Sequence, residues 1–160
     1  MKIVFVGGSQ TVSLLSPGVE RYFQDLVSEG DVRFIIGDCF GVDHAVQILL
    51  ASLGADVLVY ASEGKARNNP CGFPVVAIPA EKFHGRDYYR QKDIAMAIEA
   101  TEGVMIWDGK SKGTYRNMLY LLCMEKPTAL FLPGQKEAIR MEAETPQTLR
   151  ALVRRYGCLP

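Results

Sequence analysis

The sequence has no excess of charge of either sign. Its 160 residues include 18 lysines and arginines and 18 aspartates and glutamates, which give a formal net charge of zero at pH 7. Domains that bind nucleic acid over a broad surface usually carry a basic excess. The composition therefore argues against a broad nucleic-acid surface and leaves room only for local basic patches.

Long apolar runs are also missing. No segment approaches the roughly 18 consecutive apolar residues that cross a membrane. The apolar start of the chain is interrupted by Gly7 and Gly8 before it reaches the length of a signal peptide. We therefore expect a cytoplasmic protein with no membrane attachment. Its apolar content of 48% still provides for one sizeable core.

Potential metal ligands are few. The chain has 4 cysteines and 2 histidines, and none of them stands at the close spacing typical of zinc sites. We expect free thiols in a reducing compartment, no metal site and no required cofactor. The residues concerned are Cys39, Cys71, Cys123, Cys158, His44 and His84.

Short β-branched runs alternate along the chain with segments whose apolar residues recur at helical spacing. Strands are predicted at residues 3–6, 32–36, 57–60, 74–78, 103–107 and 128–132. Helices are predicted between them, except that a polar loop, residues 61–73, joins the third and fourth strands. A final helix is predicted from Thr145-Pro146 to Gly157. This order predicts an α/β fold: a single Rossmann-like three-layer domain over residues 1–160, with a mostly parallel sheet of about six strands.

A cationic turn follows the fifth predicted strand. The apolar run ends at Asp108, and the next six residues are Gly109, Lys110, Ser111, Lys112, Gly113 and Thr114. A helical pattern begins directly after them, which places these residues at a helix N-terminus. Backbone N–H groups, hydroxyls and positive charge at such a position suit a phosphate or another anion. We interpret the turn as an anion-binding loop.

Two other strand ends are polar and rich in glycine. The first strand is followed by Gly7-Gly8-Ser9-Gln10, and the second by Gly37-Asp38-Cys39-Phe40-Gly41-Val42-Asp43. In open α/β sheets, ligands bind beyond the carboxyl ends of the strands, so we expect the three ends to form one site. Neither standard fingerprint is complete, because G-x-G-x-x-G is absent and Val104 occupies a P-loop glycine position. Ordinary turn chemistry for the glycines, and a helix-dipole role for Asp43, remain alternatives.

A basic helix precedes the fifth strand. Residues 86–93 carry Arg86, Arg90 and Asp93 one turn apart on one helical face. In one interpretation this is a solvated face with internal ion pairs. In the other it lies over the crevice, and Arg90 or Lys92 holds an anion. Arg67, in the polar loop, is a further candidate for that role.

The order of these motifs resembles the SLOG superfamily, which includes the Lonely Guy phosphoribohydrolases and the DNA-processing protein A domain. The matching segments are Gly7-Gly8-Ser9, Gly37-Asp38-x-x-Gly41-x-Asp43, Arg90-x-Lys92 with Met96, and Gly113-Thr114. They cover roughly residues 1–133. The resemblance implies a nucleotide-type ligand, with phosphate on Gly113 and Thr114. It also implies ribose or phosphate near Gly7, Gly8 and Ser9, and a sugar side shaped by Gly37, Gly41 and Asp43.

One position departs from the enzymes of that superfamily. Lonely Guy enzymes carry a catalytic glutamate three residues after the threonine of this turn, whereas the present chain has Asn117. Arg90 matches their arginine, but an amide cannot act as the carboxylate that stabilises an oxocarbenium-like state. The turn also resembles that of nucleoside deoxyribosyltransferases, whose nucleophilic glutamate has no clear counterpart here.

Three functions follow as hypotheses. The first is binding of a nucleotide or phosphorylated nucleoside, with phosphate on residues 110–114 and ribose hydroxyls on Asp43 or Asp38. The second is N-glycosidic hydrolysis or base transfer, with Asp43, Asp108 or Asp87 as the carboxylate and Arg90 as the electrophilic partner. The third is a carrier of an anionic cofactor such as molybdopterin. A homo-oligomer is compatible with each of them.

Overall fold

The computed structural model describes residues 1–142 and 146–155. It contains seven strands: β1 (Lys2–Gly8), β2 (Val32–Ile36), β3 (Asp56–Ser62), β4 (Val75–Ile78), β5 (Glu102–Ile106), β6 (Thr128–Phe131) and β7 (Ile139–Met141). The five helices are α1 (Pro17–Glu29), α2 (Val42–Ser52), α3 (Arg86–Glu99), α4 (Lys112–Cys123) and α5 (Pro146–Arg155). None of the helices in the described part of the chain is long and apolar enough to span a membrane.

The strands form one sheet in the order β4-β3-β2-β1-β5-β6-β7. All neighbouring pairs are parallel except β6 and β7, which are antiparallel. The predicted α/β, Rossmann-like architecture is therefore confirmed, with seven strands instead of about six. The extra strand, β7, has only three residues with Arg140 at its centre, which is too short to show the alternation that sequence patterns detect.

Helices cover both faces of the sheet. Val4 and Val6 of β1 pack with α1 and α2 on one face, and Phe5 packs with α3, α4 and Leu149 of α5 on the other. Strands that are covered on both sides are expected to be continuously apolar, as β1 and β2 are apart from Lys2 and Arg33 near their starts. The final helix is confirmed over Pro146–Arg155, whereas its predicted ends at Thr145 and at Tyr156 and Gly157 lie outside the described residues.

The connections reverse direction at the centre of the sheet. The chain leaves β1 through α1 on one face, and it leaves β5, the neighbour of β1, through α4 on the opposite face. The gap between these connections is a topological switch point, where open α/β sheets bind ligands. Gly8 lies at this gap, and a Cβ there would overlap the Ile106 carbonyl and the Val42 side chain. The absence of a side chain thus lets three strand ends approach one another.

Candidate functional site

A cleft of about 680 Å³ opens at the switch point. The carboxyl ends of β1, β2 and β5 form its floor, and α3 and the start of α4 form its walls. Most of the residues that the sequence proposed for the site line this cleft, namely Gly7, Gly8, Gly37, Asp43, Arg90, Lys92, Asp108, Lys110, Ser111, Lys112, Gly113 and Thr114. The cleft thus brings together side chains from three separate strand ends.

Four proposed ligand-binding residues do not line the cleft: Ser9, Asp38, Gly41 and Gly109. Ser9 is fully buried and its hydroxyl accepts a hydrogen bond from the Asp108 amide at 2.9 Å. Gly41 and Gly109 have φ angles of 78° and 81°, a left-handed conformation that favours glycine. The structure therefore assigns Ser9, Gly41 and Gly109 to the framework that holds the strand ends.

The turn after β5 (residues 108–114, hereafter the β5 turn) is organised by Asp108. One carboxylate oxygen accepts the Lys110 and Ser111 amides, each at 2.8 Å, and the other accepts the Thr11 hydroxyl at 2.7 Å. Burial raises the pKa of Asp108, but these hydrogen bonds outweigh it and the net shift is downward. Since both oxygens are occupied, Asp108 holds the turn in shape and is poorly placed as a catalytic carboxylate.

The same hydrogen bonds correct the sequence interpretation of the turn. The amides of Lys110 and Ser111 are not available to a ligand, because they donate to Asp108. The Ser111 hydroxyl caps α4 by accepting the Thr114 amide at 3.4 Å. Within the described ranges, the amides of Lys112 and Gly113 have no hydrogen-bond partner, so they are the donors that remain for an anion.

The loop after β2 (residues 37–43, hereafter the β2 loop) holds a second engaged carboxylate. Asp38 is 1% exposed and accepts the Arg67 backbone amide at 2.9 Å and its Nη2 at 2.8 Å. Burial raises the pKa of Asp38, and the bonds from Arg67 lower it further than burial raises it. The Arg67 guanidinium also lies 4.0 Å above the Tyr89 ring. Asp38 therefore fixes the polar loop to the cleft wall and is not free to bind ribose.

Asp43 is a cleft carboxylate with a single hydrogen-bond donor and no ion-pair partner within 4 Å among the described residues. It is 6% exposed, and its Oδ2 accepts one hydrogen bond, from the Cys39 amide at 3.1 Å. Burial raises the pKa of Asp43 to about 7, although the nearby Lys92 charge opposes that rise. Asp43 consequently changes its protonation state near neutral pH.

Lys92 lies beside Asp43 on the cleft floor. Its side chain is 4% exposed, and its Nζ pairs with Asp93 at 2.7 Å. A Cβ built on Gly37 would lie 2.8 Å from Oδ2 of Asp43 and 3.1 Å from Nζ of Lys92. Glycine thus leaves a gap at which one polar atom of a ligand would meet both an acceptor and a donor.

The basic helix, α3, shows a feature of each of its two interpretations: an internal ion pair and arginines that line the cleft. Arg90 Nη1 pairs with Asp87 at 3.2 Å, one turn away on α3, as expected for a solvated face. Arg86 and Arg90 nevertheless line the cleft, whereas Asp87 does not. The buried Nε of Arg90 has no hydrogen-bond partner among the described residues. Asp87 is therefore a partner of Arg90 and is not placed to act on a bound ligand.

Sequence reasoning assigned no role to five lining residues, Gln10, Thr11, Cys39, Tyr89 and Met96, although Gln10, Cys39 and Met96 lie in its motifs. It considered Asn117 only as the position at which related enzymes carry a glutamate, and it assigned no role to Arg116. Asn117 is 8% exposed, and its side chain has no hydrogen bond within the part of the chain that the structure describes. Its Nδ2 lies 3.6 Å from the position of a Cβ on Gly7. The helical spacing of Thr114 and Asn117 was the signal that could have placed the amide in the cleft.

No group of three or more potential metal ligands occurs among the described residues. Cys39, Cys71 and Cys123 are free thiols, and Cys158 lies outside the described residues. Comparisons with known proteins found nothing similar, since no protein-family model, curated protein or solved structure matches the chain.

Proposed function

We propose that the protein binds a nucleotide or phosphorylated nucleoside derivative in this cleft, with phosphate on the β5 turn. The observation that carries the proposal is the meeting of a cationic helix start with two glycine-rich strand ends in one cleft of about 680 Å³. Small-molecule sites typically have volumes of about 300–1,000 Å³ and lie at switch points of α/β sheets.

The phosphate subsite would use the donors that Asp108 leaves unoccupied. These are the amides of Lys112 and Gly113, at the positive end of the α4 dipole. The hydroxyl of Thr114, which is 3.2 Å from that of Ser111, would exchange this contact for the phosphate. The side chains of Lys110 and Lys112 are exposed and line the cleft. Their charges would add to the attraction, because phosphate carries up to two negative charges near neutral pH.

The sugar subsite would lie over Gly37. A ribose hydroxyl placed there would donate to Asp43 and accept from Lys92, which flank the same gap. This arrangement supports Asp43 over Asp38 as the ribose acceptor, because the carboxylate of Asp38 is already engaged by Arg67. The resemblance to the SLOG superfamily would imply the same side of the site for the sugar.

Calorimetry with AMP, CMP, NAD and ADP-ribose tests the proposal. We expect binding of at least one of these compounds and its loss in Thr114→Arg, because Thr114 is 2% exposed at the phosphate position and a larger side chain would fill it. The matched control is Gln24→Arg, which adds the same side chain to the exposed face of α1 and should leave binding unchanged. Absence of binding by all four compounds would refute the proposal, as would full binding by Thr114→Arg.

A second candidate function is cleavage of the N-glycosidic bond of such a nucleotide. The observation that favours it is the buried Asp43, whose pKa is raised to about 7 in the cleft, a value suited to general acid–base catalysis. Chromatography of released base, from the nucleoside monophosphates at high protein concentration, tests it. Activity should vanish in Asp43→Asn, and no release of base from any of the monophosphates would exclude the reaction.

A further inference from the structure

The positive charge of the cleft is concentrated in two groups. Two of its basic side chains are neutralised, because Arg67 pairs with Asp38 and Lys92 pairs with Asp93. The others are Arg86 and Arg90 on α3, and Lys110, Lys112 and Arg116 at the start of α4. Since the chain as a whole has no net charge, this excess is a local property of the cleft.

The two groups lie beside different strand ends, on helices α3 and α4, which pack against each other. Lys110, Lys112 and Arg116 follow the carboxyl end of β5. The first turns of α3 lie beside the carboxyl end of β3, where the Ser62 hydroxyl donates to the Tyr88 carbonyl at 2.8 Å. β3 and β5 are separated in the sheet by β2 and β1, which corresponds to three strand spacings, or about 14 Å. A single phosphate on the β5 turn would therefore leave the α3 group without an anion.

The α3 group is incompletely neutralised by the protein. Asp87 pairs with Nη1 of Arg90 at 3.2 Å, but the carboxylate is 61% exposed, and Nε of Arg90 is buried without a partner among the described residues. Arg86 forms no ion pair within the ranges that the structure describes. The exposed guanidinium of Arg86 and the outer N–H groups of Arg90 would therefore gain charge neutralisation and charge-assisted hydrogen bonds from an incoming anion.

The floor between the two groups is suited to an uncharged part of a ligand. Asn117 places an amide there that has no hydrogen bond among the described residues. Lys92 is neutralised by Asp93, and Asp43 is partly protonated near neutral pH because burial raises its pKa to about 7. A sugar with its hydroxyl groups fits this middle region better than a further phosphate does.

On the basis of the proposed function, we infer that the ligand is a nucleoside bisphosphate, with phosphates on two different sugar positions. One phosphate binds the β5 turn, the other binds Arg86 and Arg90, and the sugar lies between them over Gly37. A 5′-diphosphate chain instead places both phosphates at one end. It therefore satisfies the α3 group less well.

Calorimetry with matched ligands tests the inference. The 5′-monophosphate that binds best among AMP, GMP, CMP and UMP is compared with the 3′,5′-bisphosphate and the 5′-diphosphate of the same nucleoside. We expect the bisphosphate to bind at least about 10-fold more tightly than the other two, since an added charge-assisted hydrogen bond contributes roughly 1.4 kcal/mol or more. The 5′-diphosphate also carries two phosphates, and the arginine substitutions below separate the position of the second phosphate from the higher full charge of the bisphosphate.

Substitutions locate the second phosphate. Arg86→Gln combined with Arg90→Gln should abolish the advantage of the bisphosphate, because it should weaken binding of the bisphosphate more than binding of the monophosphate. Arg86→Gln alone, at the exposed start of α3, should reduce the advantage without disturbing the fold. Arg21→Gln on the exposed face of α1 is the control.

The outcomes separate this inference from the proposed function. Binding of the monophosphate with no gain from the 3′-phosphate, or a gain that survives both arginine substitutions, overturns the inference and leaves the proposed function standing. Failure of every mononucleotide and bisphosphate to bind overturns both.

Discussion

Asp108 of the β5 turn and Asp43 of the β2 loop are aspartates in opposite environments. Both segments follow a buried strand and lead into a helix that borders the cleft. Asp108 of the β5 turn accepts three short hydrogen bonds, and its pKa is lowered. Asp43 of the β2 loop accepts one, is almost fully buried, and has a pKa raised to about 7. One carboxylate therefore fixes the geometry of the cleft, and the other is available for protonation or for a ligand.

The contrast has a physical cause in the partners of each group. Backbone N–H groups and a hydroxyl stabilise the charged form of Asp108, which remains partly exposed. Asp43 has lost its hydration without gaining equivalent donors, so its charged form is penalised. Asp108 lies two residues after the end of β5, whereas Asp43 lies seven residues after the end of β2, in the first turn of α2. Position along the chain, together with the surroundings, distinguishes the structural carboxylate from the reactive one.

The largest expected effect is the pH dependence of stability that Asp43 confers. Its folded pKa is about 7, above its value of 3.8 in an unfolded chain, so the folded state binds the proton more tightly. The resulting stabilisation is complete below about pH 4 and is lost as the pH rises to about 7. The total change in the free energy of unfolding from this one group is at most about 4 kcal/mol. Urea unfolding of wild type and Asp43→Asn between pH 3.5 and 8 measures it.

The same comparison of wild type with Asp108→Asn should show a pH dependence of stability of the opposite sign. The pKa of Asp108 is lowered in the folded state, so its contribution is present above its unfolded pKa and is lost as the pH falls below about 4. If the unfolding free energies of Asp43→Asn and Asp108→Asn differed from wild type with the same pH dependence, the distinction between the two carboxylates would be contradicted.

A slightly smaller loss of stability is expected from removing the ion pair between Asp38 of the β2 loop and Arg67. Asp38→Ala removes a 2.8 Å ion pair in which the Asp38 side chain is only 2% exposed, and it should destabilise the protein by about 3 kcal/mol. Chemical denaturation measures the change. The matched control is Asp56→Ala, which breaks an exposed pair of the same length with Arg33 and should cost less than about 1 kcal/mol. Equal losses in the two variants would show that burial does not matter here.

The framework role of Asp108 predicts a loss of about 2 kcal/mol for Asp108→Ala, because three donors lose a charged acceptor. Asp108→Asn keeps one acceptor oxygen and should lose less. Both should weaken nucleotide binding through distortion of the β5 turn, which calorimetry at neutral pH will measure. Wild-type stability in Asp108→Ala would mean that the turn is held by other contacts.

The smallest expected effect is at the cap of α4. Ser111→Ala removes the side-chain acceptor of the Thr114 amide, which should cost about 1 kcal/mol of unfolding free energy. Ser16→Ala, at the corresponding cap of α1, where the hydroxyl accepts the Val19 amide, is the comparison. We expect similar losses of stability in thermal unfolding, and weaker ligand binding only in Ser111→Ala, because only that cap lies in the cleft.

Much of the fold is readable from local sequence. Alternating apolar strands and amphipathic helices predict the parallel sheet, and the glycines after the strands predict where the cleft opens. β7 escapes prediction because its pairing with β6, which aligns Thr128 with Met141, is a tertiary event. The ion pair between Asp38 and Arg67 spans 29 residues and leaves no periodic signal.

The site is harder to predict than the fold. An aspartate before Gly-Lys-Ser is a known signal for a side chain that bonds the backbone of its own turn, so the role of Asp108 could have been foreseen. The role of Asp43 could not, because its pKa depends on burial among the β2 loop, Lys92 and Asp93. Asn117 becomes visible as a cleft residue only once α4 is placed beside Gly7.

The central claim is that phosphate binds the donors of the β5 turn that Asp108 leaves unoccupied. A titration of ¹⁵N-labelled protein with a nucleoside monophosphate, followed by amide NMR shifts, tests it most directly. The account predicts the largest shifts at the amides of Lys112 and Gly113, with smaller changes at Lys110 and Ser111, whose amides already donate to Asp108. Saturable binding that leaves Lys112 and Gly113 unmoved would contradict it.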